Sequence, residues 1–161
     1  MIEIEDLTFQ YRESDAPVIE DMSLSIPSGA FAGIIGAAGS GKSTLTYALS
    51  GIVPHCYPGD FYGSGRIDGN DTCDTTLTDL SQMVGSVCQD IDSQFVSAVV
   101  EDEMLYGLEN YGVPHDQIEG RVQEALEAMG IADLRQRLIA SLSGGQKQKV
   151  AIASILALRP S

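Results

Sequence analysis

Basic residues are scarce in this chain. Nine Lys and Arg stand against 23 Asp and Glu, a formal net charge of −14, and a nucleic-acid partner needs clustered cations that such a count does not supply. The same shortage disfavours anionic membrane surfaces. Cysteine is sparse too: Cys56, Cys73 and Cys88 lack C-x-x-C or Cys/His ligand spacing, so neither a disulfide framework nor a zinc site is predicted and a reducing, cytosolic compartment fits. Long apolar runs are missing. No segment approaches the roughly 18 apolar residues of a membrane span, and Met1 leads into Ile2-Glu3-Ile4-Glu5 instead of a basic and apolar leader. What remains is a chain of 161 residues, enough for one ordinary domain or a large part of one.

The patterning alternates between the two periods of regular structure. Ile2 to Tyr11 and Met22 to Ile26 alternate with period two and are read as half-buried strands, with a turn over 12–17. Ala30 to Ile35 is almost wholly apolar, the pattern of a strand covered on both faces, and Met83 to Cys88 is read the same way. Lys42 to Ser50 has helical spacing and stops at Gly51. Residues 54–65 are read as an ordered connection, followed by a short strand over 65–69. Helices are predicted over 99–108 and 117–129, and a last helix from Ser143 to Leu158 before Pro160.

Between the apolar run and the first helix lies Gly36-Ala37-Ala38-Gly39-Ser40-Gly41-Lys42-Ser43, followed by Thr44. It matches G-x-x-x-x-G-K-[ST] in the strand-to-helix setting that this phosphate loop requires. Glycines let backbone N–H groups wrap a phosphate, and the helix start adds unpaired N–H groups and the positive end of its dipole. Lys42 supplies an ammonium for the β and γ phosphates and Ser43 a hydroxyl for Mg²⁺. This loop by itself signifies only a nucleoside triphosphate.

A second glycine motif, Leu142-Ser143-Gly144-Gly145-Gln146, also opens a helix, with Ser143 placed to cap it. Two glycines there weaken a helix by about 1 kcal/mol each, a cost that makes sense where an outside phosphate must reach bare backbone. The segment resembles the signature motif of ATP-binding cassette (ABC) ATPases, and the resemblance covers essentially the whole chain. It implies an α/β fold: a P-loop NTPase (RecA-like) core with N-terminal antiparallel β strands and a helical subdomain, incomplete at the C-terminus. The 161 residues are then one incomplete nucleotide-binding domain, with 1–90 and 143–161 forming the core and 91–142 the helical subdomain.

The resemblance also implies roles. ATP would be bound by Gly36, Ala37, Ala38, Gly39, Ser40, Gly41, Lys42, Ser43 and Thr44, with Tyr11 stacking on adenine. Gln89 matches the Q-loop glutamine that positions Mg²⁺ and the attacking water, so Lys42 and Gln89 are the catalytic candidates and Ser43 and Gln89 the Mg²⁺ candidates. Ser143, Gly144, Gly145 and Gln146 would contact ATP held by a second ABC cassette, in a homo- or heterodimer. Gln89 to Val96, Val100 to Glu103 and Gly107 to Pro114 are more narrowly similar to the ATPases of energy-coupling factor importers for cobalt and vitamins. Pro54 to Gly59 is similar to the tandem-cassette members of that group. Ile91, Cys88 and Lys149 depart from its usual Pro, Phe and Arg.

The expected function is therefore the ATP-binding subunit of an ABC importer of a vitamin, metal ion or other micronutrient. It would be peripheral at the inner face of the cell membrane, partnered by a transmembrane subunit and not by nucleic acid. In the family an apolar strand ending in Asp-Glu, and later a His, follow the signature helix. None of these appears by Ser161, so the chain is expected to be truncated before that Walker B strand and to be inactive alone. A non-catalytic nucleotide-binding fragment and a soluble ABC ATPase unlinked to transport are the alternatives. His55 is read as an ordinary side chain rather than a metal ligand. The run Glu101-Asp102-Glu103 is either a solvated helix face or a docking surface, and Lys147 and Lys149 face solvent or bound phosphate.

Overall fold

The alternating N-terminus forms β1 (Ile2–Tyr11) in a computed structural model that describes residues 1–160. β1 is the second strand of an antiparallel sheet ordered β2-β1-β3-β4, with β2 at Ile19–Ile26, β3 at Gly59–Ile67 and β4 at Asn70–Asp71. Ile2 of β1 faces both Ile26 of β2 and Ile67 of β3, and Tyr11 at the other end faces Gly59. That last pairing needs a glycine, because a Cβ at position 59 would stand 2.7 Å from the Phe9 ring. The sheet's inner face carries Ile4, Leu7, Phe9 and Ile67, against which Leu45, Ala48 and Leu49 pack from helix α1 (Lys42–Leu49). Burying a side chain such as Phe9 contributes about 1.5–3 kcal/mol. A single turn α2 (Ile52–His55) and helix α3 (Leu77–Met83) complete this unit, Met1–Val84.

The second unit begins at Gly85 and is helical. Its core joins Val100, Met104 and Leu108 of α4 (Val100–Asn110) to Ile118, Val122 and Leu126 of α5 (His115–Ala128), with Val150, Ala153 and Ala157 of α6 (Gly144–Leu158). Spacings of three and four residues on each helix produce one apolar stripe per helix, and the three stripes meet.

Two expected strands are absent. Residues 30–37 take no ladder hydrogen bonds and are exposed throughout, with Phe31 and Ile35 at 103% and 95%. Met83 closes α3, and residues 84–88 have no regular structure. An apolar run becomes a strand only where neighbours accept its backbone hydrogen bonds, and no described strand pairs with either segment. Conversely, β3 starts at Gly59, inside the expected connection, because pairing with β1 overrides the local Gly and Pro signals.

Candidate functional site

The loop between the extended segment and α1 is shaped by close approaches. A Cβ at Gly36 would lie 2.6 Å from Ser40 Oγ, and one at Gly41, where φ is 83°, would lie 2.8 Å from the Val18 carbonyl oxygen. Gly41 is the N-cap of α1, so no side chain satisfies the first N–H groups of that helix. Lys42 folds back over the loop: its Nζ donates to the Gly36 carbonyl at 2.9 Å, the Ala37 carbonyl at 2.6 Å and Ser40 Oγ at 3.4 Å. Among the described residues no carboxylate forms an ion pair with Lys42. An uncompensated ammonium beside an uncapped helix N-terminus, in a protein of net charge −14, suits a polyanion. Ser43 is exposed at the start of the helix.

Thr44 is buried and ties the loop helix to β1, since its Oγ1 lies 3.1 Å from the Tyr11 hydroxyl. Tyr11 is further held edge-on by Phe9, with ring centres 4.8 Å apart, and flanked by Tyr57 at 6.5 Å. Tyr57 in turn stacks on Tyr47 of α1 at 5.9 Å. Sequence reasoning missed Tyr47 and Tyr57. The signal was available, because Tyr47 follows Thr44 by three positions and so shares its helix face. A cleft of about 320 Å³ beside the loop is walled by Val18, Ile19, Glu20, Met22, Ile34, Ile35 and Leu45, with Ser40, Gly41 and Lys42 at its loop end. Tyr11 is not part of its wall, so this cleft is distinct from the aromatic group.

The remaining predicted residues lie in the second unit. Gln89 is exposed in an irregular segment. Ser143 caps α6 reciprocally: its Oγ accepts from the Gln146 N–H at 3.4 Å, and Gln146 Oε1 accepts from the Ser143 N–H at 2.9 Å. Gln146 is thus occupied within its own helix turn. Gly144 and Gly145 are exposed, and a Cβ at either would meet nothing within 4 Å. Internal packing therefore does not require glycine there.

The solvated-face expectation for the acidic run holds only for Asp102. Glu103 is buried, and its Oε2 accepts from the N–H groups of Val96 at 3.0 Å and Ser97 at 2.8 Å. Glu101 binds Gln136 and Arg135, and Arg135 also reaches Glu119 at 2.6 Å. The Gln136 amide and then the Arg135 guanidinium hold the Glu101 carboxyl below its usual range, and Arg135 does the same for Glu119. Only Asp102 is left as a solvated acid. His55 Nε2 sits 3.1 Å from the Thr72 carbonyl oxygen. Burial pushes the nearby Cys73 thiol up to about 11, assisted by Asp71 and Asp74. No described helix is long and apolar enough to cross a membrane.

Residues 19–161 match the family described as ABC transporter. The chain is 43% identical over 161 residues to an energy-coupling factor transporter ATP-binding protein of Enterococcus faecalis, covering 99% of this chain and 56% of that protein. It is 40% identical over 160 residues to a putative ABC transporter ATP-binding protein of Pyrococcus abyssi, covering 99% of this chain and 57% of that one. The chain thus spans little more than half the length of these curated relatives. Among solved structures, it is similar to cbiO1 from Clostridium perfringens, part of the ABC transporter complex cbiONQ. That likeness has a TM-score of 0.84 at 32% identity, over 99% of this chain and 62% of the other. A bacterial ABC transporter cassette solved as a dimer gives a TM-score of 0.80 at 26% identity, over 99% and 71%.

Proposed function

From a chain that belongs to the ABC transporter family of ATP-binding proteins, with the P-loop NTPase fold of its cassettes, we propose the ATP-binding subunit of an energy-coupling factor importer. The observation that carries this reading is Lys42, an ammonium held by loop carbonyls with no carboxylate to neutralise it. ATP would supply the phosphates and, with Mg²⁺, the chemistry of phosphoryl transfer that drives the transporter.

This chain's own residues divide the work. The loop from Gly36 to Thr44 binds the phosphates through its backbone and Lys42, Ser43 offers its hydroxyl to the metal, and Tyr11 provides a flat surface for the base. Gln89 orients water and metal. Ser143, Gly144 and Gly145 address the nucleotide of a second cassette, which accounts for two exposed glycines that nothing inside the fold requires. Gln146 serves that contact from its place in the cap. The assignment of residues 1–90 and 143–161 to a catalytic core and 91–142 to a helical subdomain follows the family resemblance, whereas by packing α6 belongs with α4 and α5 in the unit that begins at Gly85. The subunit would sit at the inner face of the membrane beside a transmembrane partner. The cargo class is a vitamin, metal ion or other micronutrient.

Thermal unfolding with and without Mg-ATP tests the reading. At 100 times its dissociation constant a ligand stabilises the fold by about 2.7 kcal/mol, and Lys42→Ala should abolish most of that shift. An equal shift in the variant would remove the loop from the site.

A further inference from the structure

Lys147 is in an unfavourable place for a cation. It lies in the first turn of α6, where the helix dipole is positive, and its side chain is only 18% exposed. The compensation comes from far away in sequence: its Nζ donates to Asp92 Oδ1 at 2.5 Å. Asp92 gains doubly, from the ammonium and from the positive helix end.

Asp92 belongs to a loop that is itself closed. Gln94 Oε1 accepts from the Cys88 N–H at 2.9 Å, and Gln94 Nε2 donates to the Ser86 carbonyl at 3.4 Å. The Gln94 N–H bonds the Ile91 carbonyl at 3.1 Å, and Ser93 Oγ donates to the Asp90 carbonyl at 2.8 Å. Residues 88–94 are thus cinched at their base and braced inside, so the loop can shift as one piece. Gln89 sits within it and Asp92 near its tip.

We propose that Asp92 and Lys147 are a positioning pair that couples the loop bearing Gln89 to the helix start bearing Ser143, Gly144 and Gly145. A displacement of Gln89 pulls on Lys147, one residue beyond the capping box, and so changes how the cap presents the Ser143 hydroxyl and the glycine N–H groups. This rests on the reading that both segments address nucleotide, and it adds a link between them inside one chain. Neither side chain need touch the ligand.

The test is residue-resolved amide exchange by NMR on the full chain. Gln94→Ala opens the loop's base without touching the ion pair. It should speed exchange over 89–94 and, through the pair, over Gln146 to Lys149 by about 1.4- to fivefold, the range of an exposed ion pair's strength. In an Asp92→Asn background, Gln94→Ala should still loosen the loop while leaving the helix amides unmoved. The swapped pair, Asp92→Lys with Lys147→Asp, should restore the transmission. Helix amides that ignore Gln94→Ala in the native pair, or respond equally with Asp92→Asn, would overturn the proposal. Protection of residues 36–44 by Mg-ATP, recorded in the same samples, reports separately on nucleotide binding. Its absence would remove that reading while leaving the coupling to be judged on its own amides.

Discussion

The phosphate-loop region and the three-helix core use apolar residues in opposite ways. In α4, α5 and α6 the large apolar side chains Met104, Leu108, Val122, Leu126 and Val150 are fully buried against one another. In the segment leading to the phosphate loop, Phe31 and Ile35 are almost fully exposed. Helices satisfy their backbone hydrogen bonds internally and need only bring stripes together, whereas a strand depends on a partner for every N–H and C=O. The helical unit therefore completes itself from local pattern, and the loop region does not.

Truncating one residue of each kind breaks this comparison most forcefully. Leu126→Ala should cost about 2–5 kcal/mol, transfer plus cavity, while Phe31→Ser should stay within about 0.5 kcal/mol. Urea denaturation midpoints measure both, and similar losses would mean that Phe31 is packed in solution. A smaller effect is expected at Glu103. Glu103→Ala leaves the part-buried N–H groups of Val96 and Ser97 without their carboxylate acceptor, and should cost about 1–3 kcal/mol, with Glu103→Gln milder because its amide oxygen can still accept.

Much of the first unit and most of the second were legible in sequence, for a shared reason. β1, β2, α1, α5 and α6 carry their period within their own residues, and Ser143 sits three residues before the Gln that closes its cap. The phosphate loop was legible because it is contiguous. Segments 30–35 and 83–88 were misread because an apolar run records a preference for burial and not the presence of a pairing neighbour. Glu103 escaped because its partners, the N–H groups of Val96 and Ser97, are backbone groups that no side-chain pattern reveals. Likewise, Asp92 and Lys147 are joined only by the tertiary fold.

Smaller effects sharpen the comparison at its edges. Ser143→Ala should cost about 1 kcal/mol through loss of the cap, whereas Ser43→Ala, at the uncapped start of α1, should leave apo stability nearly unchanged; chemical denaturation of the two variants separates them. The least effect is electrostatic. Glu101 and Glu119 have folded-state values below the ordinary 4.5, so their contribution is present above that pH and is lost as pH falls through the depressed values. Arg135→Gln should flatten this acid-side loss in a pH series of melting temperatures, and an unchanged slope would make the network electrostatically idle.

The central claim is that the incompletely paired unit holds the nucleotide's phosphates through the loop at 36–44. Hydrogen exchange read by mass spectrometry, with and without Mg-ATP, addresses it directly. Protection should concentrate in peptides spanning 36–44 and the end of β1 at Tyr11, should vanish in Lys42→Ala, and should leave the cores of α4 and α5 as they were. Protection centred on the helices, or protection of the loop that survives Lys42→Ala, would contradict the account.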